Sequence, residues 1–372
     1  MATFVPTAAL PTNGQRTLPR DAYLSDAVHA QELERIFRRR WLCVGRAAEL
    51  ARPGEYVLRE VAGESLILVR DRDGVARAHF NVCRHRGTRL CTEAHGTLGA
   101  TIQCPYHAWT YALDGRLVGV PSEDALDGLD RAAFGLHQAA LVEWEGFLFV
   151  NLAERPEPFE QAYAPLLGRW AAWNLPSLVA LRRIDYDVAA NWKLLFENYS
   201  ECYHCSPLHP SLVRLSPSDS GENDLVDGPF LGGFMVVSRA GGSLSLSGNT
   251  CGLPVGAFDA EAAQRVWYYS VFPNMLLSLH HDYVMVHTLW PAGPARTRIT
   301  CEFLFHPDVA SRPDLDPDDG VAFWDRTNRE DWHVCELTQQ GVSSSRYVPG
   351  PYSRRESLSA AWDREYLRAM QG

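Results

Sequence analysis

The chain has 372 residues, 46% hydrophobic and 22% charged, with a net charge of −10 at pH 7. That length allows two domains or one large one, and the apolar share is enough for a substantial core. The negative balance argues against a nucleic-acid or anionic-membrane partner, because a phosphate backbone rewards excess Lys and Arg, and no apolar run reaches the ~20 residues that cross a bilayer.

The N-terminal segment MATFVPTAALPTNGQRTLPR has no charged stretch leading into an apolar core. No secretory signal is therefore expected, and the protein reads as cytoplasmic. Nine cysteines, an odd number, in a reducing compartment argue against disulfides, and metal ligation is the better explanation for some of them. Residues 1–20 read as an extended arm. A helix follows, capped by Ser25 or Asp26, with Leu33, Ile36 and Phe37 as its apolar stripe; Arg38, Arg39 and Arg40 read as its solvated face. From Trp41, alternating runs (Tyr56–Arg59, Ser65–Val69, Val75–Phe80) are separated by Pro-Gly, Ala-Gly and Asp-Gly turns. They predict a small antiparallel β domain that continues through Phe147–Val150.

The Pro-containing stretch Arg155–Phe159 marks a boundary. Beyond it the pattern predicts a helical segment near Gln161–Trp173 and strands over 179–188, 234–238, 266–272, 284–290 and 298–305. Helices are expected near 192–206 and 319–340, which makes this part an α+β sheet with helices on one face. The polar, Gly-containing segment Ser216–Asp227 reads as a mobile loop.

The most specific signal is Cys83-Arg84-His85 followed by Cys104-Pro105-Tyr106-His107. Two thiolates and two imidazoles come as two Cys/His pairs, each short enough to sit on one loop between strands. A [2Fe–2S] cluster with two Cys on one iron and two His on the other needs one such pair from each of two loops, and neutral imidazoles raise its potential. A tetrahedral zinc site uses the same ligands but usually pairs Cys with Cys and His with His. Cys91 and His95 lie between the pairs without a partner at the needed spacing, and His79 reads as an ordinary strand residue. Embedded in NVCRHRGTRL and CPYHAWTY, the motif resembles the Rieske domain of ring-hydroxylating and N-demethylating oxygenases over roughly residues 41–150. The resemblance implies that Cys83 and Cys104 bind one iron, and His85 and His107 the other.

Asn191–His204 reads as one helix, ended by Pro207, on which Asn198, Glu201 and His204 recur every three residues. His209 follows the break and can fold back toward His204. Two imidazoles and one carboxylate, with coordination positions left open, form the ligand set of non-haem Fe(II) oxygenases. For the carboxylate, the helix VAFWDRTNREDWHVCELTQQG is expected to end at Gly341 as its C′ residue. At ~100° per residue, Trp324, Asn328, Asp331 and Cys335 share one sector. Asp331 then lies on a mainly apolar face, where an unpaired carboxylate is costly unless it binds a metal or hydrogen-bonds. Asp325 and Glu330 project elsewhere and are expected to be solvated.

The run NWKLLFENYSECYHCSPLHP is similar to the mononuclear-iron segment of the Rieske non-haem iron oxygenase alpha subunit, in the aromatic-ring-hydroxylating dioxygenase family. Glu201 stands where that family usually carries a bridging Asp. This departure is shared by the branch acting on quaternary ammonium compounds such as carnitine and glycine betaine. The C-terminal NREDWHVCELTQQGVSSSRYVPGPYS also resembles the glycine betaine and stachydrine N-demethylase branch. The resemblance implies an α+β protein with an arm and helix (1–40) packing on the catalytic domain, an all-β Rieske [2Fe–2S] domain (41–152), and a catalytic domain (153–372) whose antiparallel sheet is covered by helices. It further implies mononuclear Fe(II) on His204, His209 and Asp331, and NAD(P)H electrons delivered by a separate flavin/iron–sulfur reductase. It implies a homotrimer in which Glu201, with Asn198 beside it, bridges a cluster histidine of one subunit and His204 of the next.

The activity this implies is O2-dependent oxidation of a small molecule, foremost oxidative N-demethylation of a betaine-type compound. Cation–π recognition could use Trp267 and Tyr269 on one strand face, Tyr268 and Phe272 on the other, and Tyr283 or Trp290 further on. His280-His281-Asp282 reads as a polar turn. The alternatives are hydroxylation of an aromatic or apolar substrate on the same scaffold, and a Rieske electron carrier without oxygenase activity, against which the His204/His209/Asp331 set counts.

Overall fold

The computed structural model describes residues 3–126 and 128–371. Two compact units emerge, one of Ile36–Ala162 and one joining the residues up to Arg35 with those from Tyr163 onward.

The Ile36–Ala162 unit is built on a seven-stranded antiparallel sheet. Its strand order is Leu42–Arg46, Phe147–Asn151, Gln138–Trp144, Ala76–Phe80, Glu64–Arg70, Glu55–Val61, His95–Thr97. A second sheet of Thr101–Gln103, Thr110–Ala112 and Leu117–Gly119 packs with it around Ile67, Ile102, Trp109 and Tyr111. The Cys83 and Cys104 loops repeat one design. Cys83 N donates to Thr88 O (2.8 Å) and Gly87 N to Cys83 O (3.0 Å); Cys104 N donates to Trp109 O (2.8 Å) and Ala108 N to Cys104 O (3.1 Å). Each reversal needs a left-handed residue four positions after the cysteine, supplied by Gly87 (φ 76°) in one and Ala108 (φ 54°) in the other.

The other unit carries an eight-stranded antiparallel sheet. Its order is Val5–Pro6, Glu222–Leu225, Phe230–Val236, Arg265–Val271, Met275–Leu279, Val284–Gly293, Arg296–Phe305, Val179–Val188. Helices Trp192–Tyr199, Pro317–Val342 and Ser357–Gln371 pack on one another and on this sheet. The Pro317–Val342 helix starts where its sequence dictates. Asp316 caps it by accepting from Asp318 N (3.1 Å), Pro317 occupies the first turn, and Asp318 and Asp319 complement the positive helix end. Ser25 caps Asp26–Glu32, as expected of the N-terminal helix, which runs on as a π-helical stretch over Leu33–Phe37. Glu32 is fully buried and accepts from Lys193 Nζ (2.5 Å), Trp192 Nε1 (2.9 Å) and Tyr366 OH (2.8 Å). A buried carboxylate persists when its lone pairs are satisfied in this way.

Several expected elements are corrected. Gln161–Trp173 is not a helix: only Phe159–Ala162 and Ala171–Trp173 form short turns, because Pro165 and the left-handed Gly168 (φ 75°) interrupt it. The stretch Ser216–Asp227 contains the strand Glu222–Leu225, whose polar composition hid its backbone pairing with Phe230–Val236. Met275–Leu279 is buried at every position and so shows no alternation to read. The helix beginning at Trp192 stops at Tyr199, where Ser200 Oγ turns back onto Phe196 O (2.6 Å). Gly341 lies inside its helix, which ends at Val342.

Candidate metal centres and their cavity

His204 and His209 flank the single helical turn Cys205–Leu208, and Pro210 then opens a new helix that sets His209 in place. Across from them Asp331 projects from the Pro317–Val342 helix. Its Oδ1 lies 3.2 Å from His204 Nε2 and 2.9 Å from His209 Nε2, and the two rings are 5.2 Å apart at 79°. Among the described residues these three are the set of metal-capable side chains whose donor atoms all lie within 4.8 Å of one another.

The outer nitrogen of each imidazole is engaged by a carboxylate. His204 Nδ1 is 2.6 Å from Glu201 Oε1, and His209 Nδ1 is 2.7 Å from Glu330 Oε2. Donation from Nδ1–H leaves the Nε2 lone pair facing the shared centre, the arrangement that orients metal-binding histidines. Burial alone would raise the Asp331 carboxyl, yet hydrogen bonds from both imidazoles hold it at about 2. Burial likewise disfavours a charged His204, but Asp331 and Glu201 outweigh it and raise the group to about 10. So much stabilised charge at one point suits a divalent cation in place of the protons. The donor set of two nitrogens and one carboxylate oxygen fits Fe(II).

This geometry departs from the expected helical stripe. Asn198 lies in the helix, whereas Glu201 and His204 follow its end and meet through the turn, with Glu201 Oε2 also accepting from Tyr203 N and His204 N. Glu330 is not solvated apart from the site but holds His209, and Asp325 accepts from Tyr186 OH (2.8 Å) and Arg329 Nε (3.0 Å). The Glu330 contact had one legible signal: a second histidine ligand needs an orienting acceptor, and Glu330 adjoins Asp331. Cys202 and Cys205, expected as reduced thiols, are joined in a disulfide that brackets His204, with Cα atoms 4.9 Å apart.

In the β unit, the rings of His85 and His107 are 4.7 Å apart, and His85 stacks on Trp109 (4.8 Å, 7°). Cys83 and Cys104 are buried, and Tyr111 OH lies 3.2 Å from Cys83 Sγ while accepting from Arg84 N (3.1 Å). Burial pushes the Cys83 thiol up, so a thiolate there requires a cation beside it. The two imidazoles thus neighbour one another and the Cys83 thiol interacts with that of Cys104, the grouping that a cluster with two Cys on one iron and two His on the other needs. His79 is buried and bonded through Nε2 to Leu113 O (2.9 Å), Cys91 is a buried thiol, and His95 is exposed.

A cavity of about 160 Å³ opens onto His204, His209 and Asp331, with Asn198, Tyr268 and Trp324 among its walls. Trp324 donates Nε1 to Tyr283 OH (2.6 Å), so Tyr283 braces the wall from behind. Gly232 and Gly233 form part of the lining, and a Cβ at Gly233 would stand 1.9 Å from Glu222 O, so only glycine lets these strands approach. Three of the other expected aromatics face elsewhere: Trp267 packs on Phe4 and Phe234, Tyr269 on Trp170, and Phe272 on Trp192 and Trp362. His280-His281-Asp282 lies between two strands with His280 and Asp282 buried, Asp282 accepting from Ser243 Oγ and Cys251 N (2.9 Å each).

Comparison with known proteins finds two families along the chain. Residues 175–372 match the ring hydroxylating alpha subunit (catalytic domain) family, and residues 40–131 match the Rieske [2Fe-2S] domain family. The chain is 32% identical to the glycine betaine monooxygenase oxygenase subunit of Chromohalobacter salexigens, covering 92% of this chain and 82% of that one. It is 38% identical to the carnitine monooxygenase oxygenase subunit of Acinetobacter baumannii over 53% of each chain. The quaternary ammonium Rieske monooxygenase CntA, solved in complex with L-carnitine, superposes with a TM-score of 0.79 at 25% identity over 97% of both chains. Naphthalene 1,2-dioxygenase from a Rhodococcus species shares the fold, with a TM-score of 0.75 at 21% identity over 95% of this chain and 94% of that one. The chain belongs to the ring-hydroxylating alpha subunits, and it is a Rieske-type oxygenase with a [2Fe–2S] domain and a catalytic domain of the mononuclear-iron type.

Proposed function

We propose that the protein oxidises an N-methyl group of a quaternary ammonium, betaine-type substrate, releasing it as formaldehyde. The observation that carries this is the cavity, which joins the His204/His209/Asp331 group to the aromatic walls Tyr268 and Trp324. Aromatic faces attract a quaternary ammonium by about 0.5–2 kcal/mol per ring while offering it no hydrogen bond, which it could not use. The substrates named for the glycine betaine and carnitine relatives are of this class.

His204, His209 and Asp331 would hold iron(II), and Cys83, His85, Cys104 and His107 the cluster. When bound, these groups supply dioxygen activation and the electrons for it. Glu201 and Glu330 keep the ligand imidazoles in one tautomer. Tyr268 and Trp324 position the ammonium and exclude water from the methyl group, with Asn198 on the same cavity wall. The overall change takes the methyl, O2, two electrons and two protons to an N-hydroxymethyl group and water. That hemiaminal breaks its C–N bond, giving formaldehyde, the demethylated amine and one proton.

The proposed organisation is an arm of residues 1–40, a cluster domain of 41–152 and a catalytic domain of 153–372. In a homotrimer Glu201 would link His204 to a cluster histidine of the neighbouring subunit, and a flavin/iron–sulfur reductase in the cytoplasm would supply electrons from NAD(P)H. Metal and sulfide analysis with EPR on reduced protein, followed by formaldehyde release from betaines, tests the reading. About three irons and two sulfides per chain are expected; zinc without sulfide, or no formaldehyde from any betaine, would refute it.

A further inference from the structure

Among the described residues that line the cavity, Arg355 is the one Lys or Arg. It sits in the turn Arg354–Glu356, whose backbone is held by Ser353 N donating to Glu356 Oε2 (2.8 Å). The adjacent Glu356 is thus occupied as a cap. The turn packs against Thr7–Ala9, and Ser357 Oγ donates to Thr7 O (3.3 Å), which ties it to a segment that itself lines the cavity. Arg355 makes no hydrogen bond or ion pair with any described residue, although the chain has 45 Asp and Glu against 35 Lys and Arg.

Among the other charged lining groups, Glu201 is engaged by His204 and Asp331 by both imidazoles; Asp219, like Arg355, is exposed. The cavity wall thus carries carboxylates engaged in the metal-ligand group, the aromatic residues Tyr268 and Trp324, and a guanidinium with no partner among the described residues.

We infer that Arg355 is the carboxylate-binding residue for the substrate, selecting ammonium carboxylates over ammonium alcohols; this rests on the N-demethylation reading above. A zwitterion placed with its ammonium against the acidic, aromatic end and its carboxylate on Arg355 satisfies both ends at once. The reverse orientation sets carboxylate against Asp331 and Glu201. Arg355 thus also fixes which end of the molecule reaches the iron ligands. A guanidinium presents paired N–H donors that match a carboxylate, so Lys would serve only in part.

The test compares glycine betaine with choline, which differ in a carboxylate against a hydroxymethyl group. Calorimetric titration of the metal-loaded protein gives Kd, and formaldehyde release gives KM and kcat. Arg355→Gln is expected to weaken glycine betaine by about tenfold or more and choline by less than about twofold. The melting temperature should stay close to wild type, and Arg355→Lys should recover part of the loss. Equal weakening of both compounds, or of neither, while the wild type demethylates glycine betaine overturns the role of Arg355 and leaves the function standing. A wild type that neither binds nor demethylates any betaine overturns both.

Discussion

Glu330 offers a sharp test of how the mononuclear site is built, because it touches the site only through His209. Its Oε2 lies 2.7 Å from His209 Nδ1, and its side chain is 33% exposed. A hydrogen bond to a charged acceptor contributes roughly 1.5–3 kcal/mol, and partial exposure places this one toward the lower end. Removing such an orienting partner typically costs about 10–100-fold in metal affinity, or about 1.4–2.7 kcal/mol. Glu330→Ala should therefore weaken Fe(II) binding by roughly tenfold or more, with Glu330→Gln intermediate, since an amide still accepts from Nδ1–H. Anaerobic Fe(II) titration against a competing chelator measures this, with the cluster's EPR signal as an internal standard for folded protein. Asp325→Ala is the control: it lies on the same helix and pairs with the exposed Arg329, so it should leave affinity unchanged. Equal losses in Glu330→Ala and Asp325→Ala, or affinity within about twofold of wild type in Glu330→Ala, would refute the orienting role.

Asp331→Asn should abolish detectable Fe(II) retention after dialysis and formaldehyde release while the [2Fe–2S] EPR signal persists; a full iron complement would show that another group completes the site. Tyr111→Phe removes the hydroxyl 3.2 Å from Cys83 Sγ. At about 1 kcal/mol of differential stabilisation of the reduced cluster, this should lower its potential by roughly 40 mV in a spectroelectrochemical titration, and an unchanged potential would count against the contact. Stability should fall on the alkaline side for a separate reason. Burial raises Glu197 from its ordinary 4.5 to about 7, against the opposing hydrogen bond from Tyr23, and burial together with Glu197 raises Asp363. A carboxyl raised in the folded state stabilises fully below its unfolded value and loses that contribution as pH climbs through about 7. For Glu197 the loss is on the order of 3 kcal/mol. Urea unfolding at pH 6 and 8 should show Glu197→Gln flattening the decline, and an identical slope in wild type and variant would refute the assignment.

Chemistry carried by neighbours in the chain was legible without a fold. Cys83 with His85, Cys104 with His107, and His204 with His209 each lie within five positions, so one turn brings each pair to one place whatever surrounds it. Asp331 could be read from further away because a helix repeats: a lone acid in a sector shared with Trp324, Asn328 and Cys335 is conspicuous at 3.6 residues per turn. The same reasoning overreached at Glu201. Periodicity described its spacing from Asn198 and His204 but not the end of the helix at Tyr199, which local hydrogen bonding at Ser200 decides. The polar strand Glu222–Leu225 and the uniformly buried Met275–Leu279 gave no alternation, since a neighbouring strand or full burial on both faces sets their structure.

What the sequence alone determined is therefore which metal-capable side chains stand close together, since that is encoded over short spans. Tertiary structure decided the rest: Glu330 on His209, Tyr111 on Cys83, Trp324 braced by Tyr283, and Arg355 on the cavity wall. Each joins groups from separate elements of the fold, and no local rule of periodicity or spacing reports which faces a packed core will press together.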